Sequence, residues 1–310
     1  MKKILFSLLF VAAILSAAPF CLGGPTLYPV VVNGRWGFAD KSGQTVVNPQ
    51  FDRAGGFAEG LAPVRMGRWG YVDGSGKIVI APQFDKADVF SEGLAAVKLG
   101  GGPNPYDPYP YDPRPFYHVG GGGRFGYIGT DGKYAINPQF EDAGVFSGGL
   151  APVRMGGRWG FVDKTGKIVI NPQFERAQAF SEGLAAVRAG GKWGFVDKTG
   201  KLIVNPQFND AGSFGKGLAP VKQEKRWGFI DPTGKFSINP QFEDAGAFSE
   251  GLAPVKQGKH WGYIDPTGKF VINPQFDEAD SFVNGLAWVM AGGKFGYVDA
   301  TGKYVWNPSK

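Results

Sequence analysis

Carboxylates recur along this chain at a nearly fixed interval. Asp40, Asp73, Asp163, Asp197, Asp231, Asp265 and Asp299 each follow an aromatic-Gly pair by a few residues, and each has a Gly three residues on. A row of evenly spaced acids is one way to hold calcium, which takes six to eight oxygen ligands. Each site here offers one carboxylate, without the dense acid spacing of a calcium loop. An Asp opening a tight turn accepts backbone N–H bonds, while the Gly takes the left-handed conformation. Turn capping is therefore the expected role of the row. Gly129 replaces the acid in the third copy, so that turn is expected to be built differently.

Other residues suited to chemistry are also periodic. Basic residues stand at Arg65, Lys98, Arg154, Arg188, Lys222 and Lys256, and acids at Glu59, Glu92, Glu182 and Glu250. The first set could form a basic stripe for phosphate or an anionic glycan. A solvated face of balanced charge explains both sets without a ligand. Asp277 and Glu278 are adjacent acids that could do glycosidase chemistry only if placed across a cleft. His118 and His260 are isolated, and His260 stands where other copies have Lys or Arg. The run Gly120 to Gly123 lacks the Lys-Ser/Thr and following helix of a phosphate loop. A single Cys excludes a disulfide framework and a Cys-based metal site. No catalytic residue, cofactor or metal site is expected, and the chain reads as a non-enzyme.

The elements that must position these residues come from one repeated unit. Trp-Gly or Phe-Gly falls at Trp36, Trp69, Phe125, Trp159, Trp193, Trp227, Trp261 and Phe295. Units are about 34 residues long, with one longer interval, and a period of this size marks a repeat architecture. Within a unit, residues 193–196 alternate so that Trp193 and Phe195 share one face and Val196 takes the other. Residues 201–204 form a β-branched run bounded by Gly200 and by Asn205 and Pro206. Residues 184–187 supply a third strand, joined to the Trp strand through Gly190 and Gly191. Both sheet faces are apolar, so each unit needs a neighbour on each side. The aromatic column could be a ladder of sugar platforms, but packing between units is the preferred account, because large aromatics dominate cores.

The pattern G-[KR]-W-G-[FY]-[VI]-D-x-x-G-K followed by N-P-Q-F resembles the WG-repeat (KWG-repeat) family, found in many secreted and cell-surface bacterial proteins. The resemblance covers essentially everything after the leader. It implies a β-repeat architecture and no common enzymatic activity. The fold class expected is all-β, with eight tandem three-stranded units of about 34 residues. The first unit begins with its own first strand at Tyr28 and the last ends with its own third strand at Trp306, so no unit is split between the termini. Propeller blades usually have four strands in about 40–45 residues. These points favour an open, twisted, solenoid-like array, with a closed propeller-like ring as the alternative.

Composition fits this reading. Gly accounts for 50 of 310 residues and the chain is 15% aromatic, which excludes a disordered chain. The net charge of +6 is diluted by 27 acids and does not call for nucleic acid or a membrane surface. Lys2 and Lys3 followed by an apolar stretch to Ala18 match a secretory signal peptide. Cleavage is expected after Gly23, with Ala18 as the other candidate, and Cys21 is a weaker candidate for lipidation. The domains expected are a signal peptide over 1–23 and a repeat domain over 24–310, with no membrane span after cleavage.

Residues 100–121 interrupt the third unit with a Pro/Gly/Tyr-rich insertion. Its prolines favour extended backbone, from which Tyr106, Tyr109, Tyr111, Phe116 and Tyr117 would project; two readings stand, a partner-binding loop and a solvated excursion that the array tolerates cheaply. The functional expectation is an exported, periplasmic or extracellular scaffold that binds a protein partner. The alternative is a carbohydrate- or cell-wall-binding repeat protein.

Overall fold

A computed structural model describes residues 26–101 and 122–309. Among them every regular element is a β-strand, arranged as eight antiparallel sheets. In the fifth sheet the strands are Arg176–Ala177, Leu184–Ala189, Lys192–Asp197 and Leu202–Phe208, hydrogen-bonded in that order. These are called here the inner, second, third and outer strands. Seven sheets have all four; the first has three, Tyr28–Val32, Arg35–Ala39 and Thr45–Phe51.

Two local expectations are corrected. The unit has four strands, because the segment read as a plain connector opens with a two-residue strand such as Arg176–Ala177 paired to Arg188 and Val187. The last strand also does not stop at Asn205 and Pro206; it continues to Phe208. Trp193 pairs with Phe208 and Phe195 with Val204, so the outer strand carries two extra residues in a bulge. Pro206 is tolerated there because the outer strand is a sheet edge, where a missing N–H breaks no ladder. The bulge folds over Gly194: a Cβ on that residue would lie 2.4 Å from the Val204 carbonyl oxygen. The same close approach recurs at Gly37, Gly70, Gly126, Gly160, Gly228 and Gly262, which explains why Gly follows the aromatic residue.

The cores lie between sheets. Trp193, Phe195, Val204 and Phe208 of the fifth sheet pack on Ala211, Phe214, Ala219, Val221 and Ile230 of the sixth. Val196 faces the other way, into the core shared with the fourth sheet. Six further such clusters join neighbours from the first sheet to the eighth. In each junction an aromatic residue of the third strand meets the Phe of the next connector, as in Phe195 and Phe214 with ring centroids 4.9 Å apart.

The eighth sheet then meets the first, so the open array is overturned: the sheets are blades of a closed eight-bladed β-propeller. Tyr297 of blade 8 packs edge-on to Tyr28 of blade 1 at 5.5 Å, and its hydroxyl donates to the Pro29 carbonyl at 3.0 Å. The Tyr28 hydroxyl donates back to the Asn284 carbonyl at 2.7 Å. Tyr28 thus does for the closing junction what a connector Phe does at the other seven. Burial and the Glu250 charge push its phenol up to about 12. Whole units at both termini argued against a ring only if closure required a shared blade. Side-chain packing closes this ring instead, and a two-residue inner strand lets four strands fit in 34 residues.

The inner strands face the ring axis. Burial raises the Asp210 and Asp244 carboxyls, and the charges sense the adjacent blade: Arg176 limits the rise at Asp210, and Asp210 adds to the rise at Asp244. Outer strands expose Ile78, Val79, Ile168, Val169, Leu202 and Ile203 at the rim.

Candidate functional site

Strand direction sorts the polar residues onto two faces. On one face lie the turns between third and outer strands together with the connectors from inner to second strands. On the other lie the turns between second and third strands and the junctions from each outer strand to the next inner strand. The second face is called here the junction face.

The Asp row caps turns on the first face. In blade 5 the Asp197 Oδ1 accepts the Thr199 N–H at 2.9 Å, the Thr199 hydroxyl at 2.6 Å and the Lys201 N–H at 3.1 Å. The same triad forms at Asp40, Asp73, Asp163, Asp231, Asp265 and Asp299. The hydroxyl bond is the largest cause holding these carboxyls below their ordinary range. At Gly129 the acid moves two residues on, and Asp131 Oδ1 accepts the Lys133 N–H at 3.0 Å. No group of three or more His, Cys, Asp or Glu among the described residues could hold a metal ion.

The acids Glu59, Glu92, Glu182 and Glu250 are staples between blades, a role the sequence reading missed. Glu182 Oε2 accepts the Gly217 N–H of the next blade at 2.9 Å; Glu59, Glu92 and Glu250 do the same for Gly93, for Gly148 and Gly149, and for Gly285. All four sit at φ between 51° and 55° ahead of a Gly, forming two-residue hairpins with both central residues left-handed. The signal was present in the copies, since a non-Gly residue in that conformation costs energy and needs a reason.

The junction face is stapled by another set. Asp52 pairs with Arg35 of blade 1 and accepts the Gly67 N–H of blade 2 at 2.9 Å. Glu141 joins Arg124 of blade 3 to the Gly157 N–H and Arg154 of blade 4. Asp277 belongs to this set: it accepts the Gly292 N–H at 2.6 Å and lies 3.9 Å from His260 Nδ1. His260 therefore stands where Arg35 and Arg226 stand in their blades, and Asp277 is occupied apart from Glu278, which lies on an inner strand.

The Trp column is core. Trp69, Trp159, Trp193, Trp227 and Trp261 are 3–5% exposed, which removes them as sugar platforms. The basic column pairs across strands with it, as Lys222 with Trp227, whose ring centroid lies 5.9 Å from Nζ. Tyr106, Tyr109, Tyr111, Phe116 and Tyr117 lie outside the described residues. The ends of their insertion do meet: Leu99 pairs with Arg124, and the Gly101 N–H donates to Asp85 Oδ2 at 3.0 Å.

Sequence reasoning also missed the axial charges. Arg53, Lys86, Asp142, Arg176, Asp210, Asp244 and Glu278 occupy the first inner-strand position of blades 2–8. Burial pushes the Asp142 and Asp244 carboxyls up to about 7 and raises those of Asp210 and Glu278. Lys86 and Arg154 moderate the rise at Asp142. Asp280, buried in the last connector, also reaches about 7 through burial. Aligning the copies exposes the axial position as one where charge sign changes from unit to unit.

A family model described as WG containing repeat matches residues 36–68, 69–102, 125–159, 159–193, 193–227, 227–259 and 261–295. No curated protein matches the sequence. Among solved structures, a eukaryotic initiation factor is 12% identical with a TM-score of 0.56, over 92% of this chain and 85% of that one. Dihydro-heme d1 dehydrogenase NirN in complex with DHE is 12% identical with a TM-score of 0.57, over 97% and 78%. At that identity the likeness is one of fold. No helix among the described residues is long and apolar enough to cross a membrane.

Proposed function

We propose, from the premise that this chain belongs to the WG-containing repeat family, that it is an exported, non-enzymatic scaffold that binds a protein partner. The observation that supports this best is the division of labour among its columns. The repeated Asp, Glu and Trp positions are used by turns, interblade staples and cores, as described above. Charge changes from blade to blade at the axial positions and around the junction face, where a rigid ring offers a broad, individual surface. Burial of the Trp column weighs against the carbohydrate-binding alternative. Export to the periplasm or beyond rests on the basic and apolar leader.

Crosslinking the tagged full chain in envelope and culture-supernatant fractions tests the reading. It expects a partner protein crosslinked through junction-face residues, and a secreted chain whose N-terminus follows Gly23 or Ala18. A chain that stays in the cytoplasm, or crosslinks no protein while retaining glycans specifically, would overturn it.

A further inference from the structure

The Glu staples of the first face share one design, and the copy between blades 3 and 4 is the most complete. Glu92 of blade 3 accepts both N–H groups of the blade 4 hairpin, that of Gly148 at 2.6 Å and that of Gly149 at 3.0 Å. The Lys164 Nζ of the neighbouring blade 4 turn adds an ion pair at 3.3 Å. Two backbone donors and an ammonium thus converge on one carboxylate, and the Glu92 side chain is left only 22% exposed. Successive N–H groups in a left-handed turn form an anion-binding concavity, and bonds to an ionised acceptor are the strong ones.

One junction further on, the receiving half recurs and the acid does not. Blade 5 presents the same hairpin at Glu182 and Gly183, with φ of 51° and 84°. Lys198 occupies the position in its turn that Lys164 occupies in blade 4. The residue of blade 4 that would supply the carboxylate is Gly148. The Glu182 and Gly183 N–H groups meet no acceptor among the described residues, whereas Gly93, Gly149, Gly217 and Gly285 each donate to a Glu of the preceding blade. The Lys198 Nζ lies 2.6 Å from where a Cβ on Gly148 would stand, so the cation covers the point from which a Glu side chain would start. Lys198 makes no ion pair among the described residues, and Gly148, Gly183 and Lys198 are all exposed. Between blades 6 and 7 the acid is also replaced, by Lys216, but Pro266 stands at the cation's position there, so the receiving half is not repeated.

We infer that the hairpin of blade 5 and Lys198 together bind a carboxylate brought from outside the chain, seated where the other junctions place a Glu. The inference goes beyond the protein-binding reading above, which concerns the junction face, and does not depend on it. The Glu92 and Glu182 carboxylates of the adjacent staples border the site, so a single negative charge suits it better than a doubly charged anion. A Glu or Asp side chain of another protein and a small free acid share this chemistry.

The test titrates the isotope-labelled full chain, at constant ionic strength, with propionate and separately with a blocked Gly-Glu-Gly tripeptide, and reads backbone amide signals by NMR. The Glu182 and Gly183 amides should shift saturably, and the Kd should rise at least about fivefold in K198Q. In G148E, which supplies the carboxylate from within the chain, the same amides should no longer respond. Tighter binding of the tripeptide would assign a protein side chain as the source, and tighter binding of propionate a free acid. No response at Gly183, an undiminished response in K198Q, or tighter binding of sulfate than of either carboxylate would overturn the proposal. If G148E melts early, K198Q decides alone, because Lys198 is exposed and lies outside the cores.

Discussion

Replacing Gly212 with Ala, with and without Pro220→Ala, probes how the inner strand is seated. In blade 6 the Gly212 N–H donates to the Pro220 carbonyl at 2.8 Å, and a Cβ on Gly212 would lie 2.7 Å from Pro220 Cγ. The copies show the coupling directly. Gly55, Gly144, Gly212 and Gly246 face Pro63, Pro152, Pro220 and Pro254 through that hydrogen bond. Where the Pro is absent, the Gly is too: Asp88 faces Ala96, Gln178 faces Ala186 and Asp280 faces Trp288. The backbone therefore accepts a side chain at this position, and only the proline ring forbids one. Forcing a methyl group into that gap is overpacking, which costs about 1–3 kcal/mol. Gly212→Ala alone should lose about that much. In the Pro220→Ala background the same change should cost less than ~1 kcal/mol, giving a coupling of about 1–2 kcal/mol. Chemical denaturation of the four chains, followed by tryptophan fluorescence, measures this cycle. Equal costs in both backgrounds would refute the steric argument.

Three further outcomes follow. Trp193→Ala should destabilise the ring by about 3–5 kcal/mol, as for other buried large aromatics, measured by denaturation; a chain that melts almost unchanged would place that ring outside the core. Deleting residues 102–121 and joining Gly101 to Gly122 should change stability by less than ~1 kcal/mol, because Leu99 and Arg124 already pair across the gap; a larger loss in the melt would mean the insertion supports the blade. The raised acids make stability depend on pH with a definite sign. Asp142, Asp244 and Asp280 have folded values of about 7, above the unfolded value of about 3.9. The folded state then binds more protons between those limits, so these groups lower stability as pH rises from about 4 to about 7. The turn acids are shifted down and act the other way only below about 4. The Tm should be higher at pH 5 than at pH 8, and the combined Asp142→Asn, Asp244→Asn and Asp280→Asn chain should lose that difference.

Much of the blade was legible in the sequence because its signals are local. Asp197 and Gly200 mark a turn by their own chemistry, and the alternation through Trp193 to Val196 assigns two faces to two neighbours. What was not legible depends on distant residues or on very short elements. Arg176–Ala177 is too short and too ordinary to read as a strand. The run past Asn205 and Pro206 carries breaker residues that only an edge position tolerates. Closure depends on Tyr28 and Tyr297, which lie 269 residues apart and show no motif. The junction face was hidden for the same reason, since the strand directions and the ring are needed before charges of separate units fall on one face. The repeated acids were read correctly as structural in the turns, whereas Glu182 and its counterparts were taken for solvated charge when they join blades.

The central claim is that eight units close into a ring, and a distance between spin labels tests it most directly. Lys41 of blade 1 reaches blade 8, its Nζ lying 2.8 Å from where a Cβ on Gly285 would stand. Labels on cysteines placed at Lys41 and Val283, with Cys21→Ser removing the native thiol, should give a single distance below about 25 Å, label arms included, across one blade spacing. In an open array, seven sheet spacings of about 10 Å would hold the same labels about 70 Å apart. A distribution centred near that longer value would contradict the closed propeller.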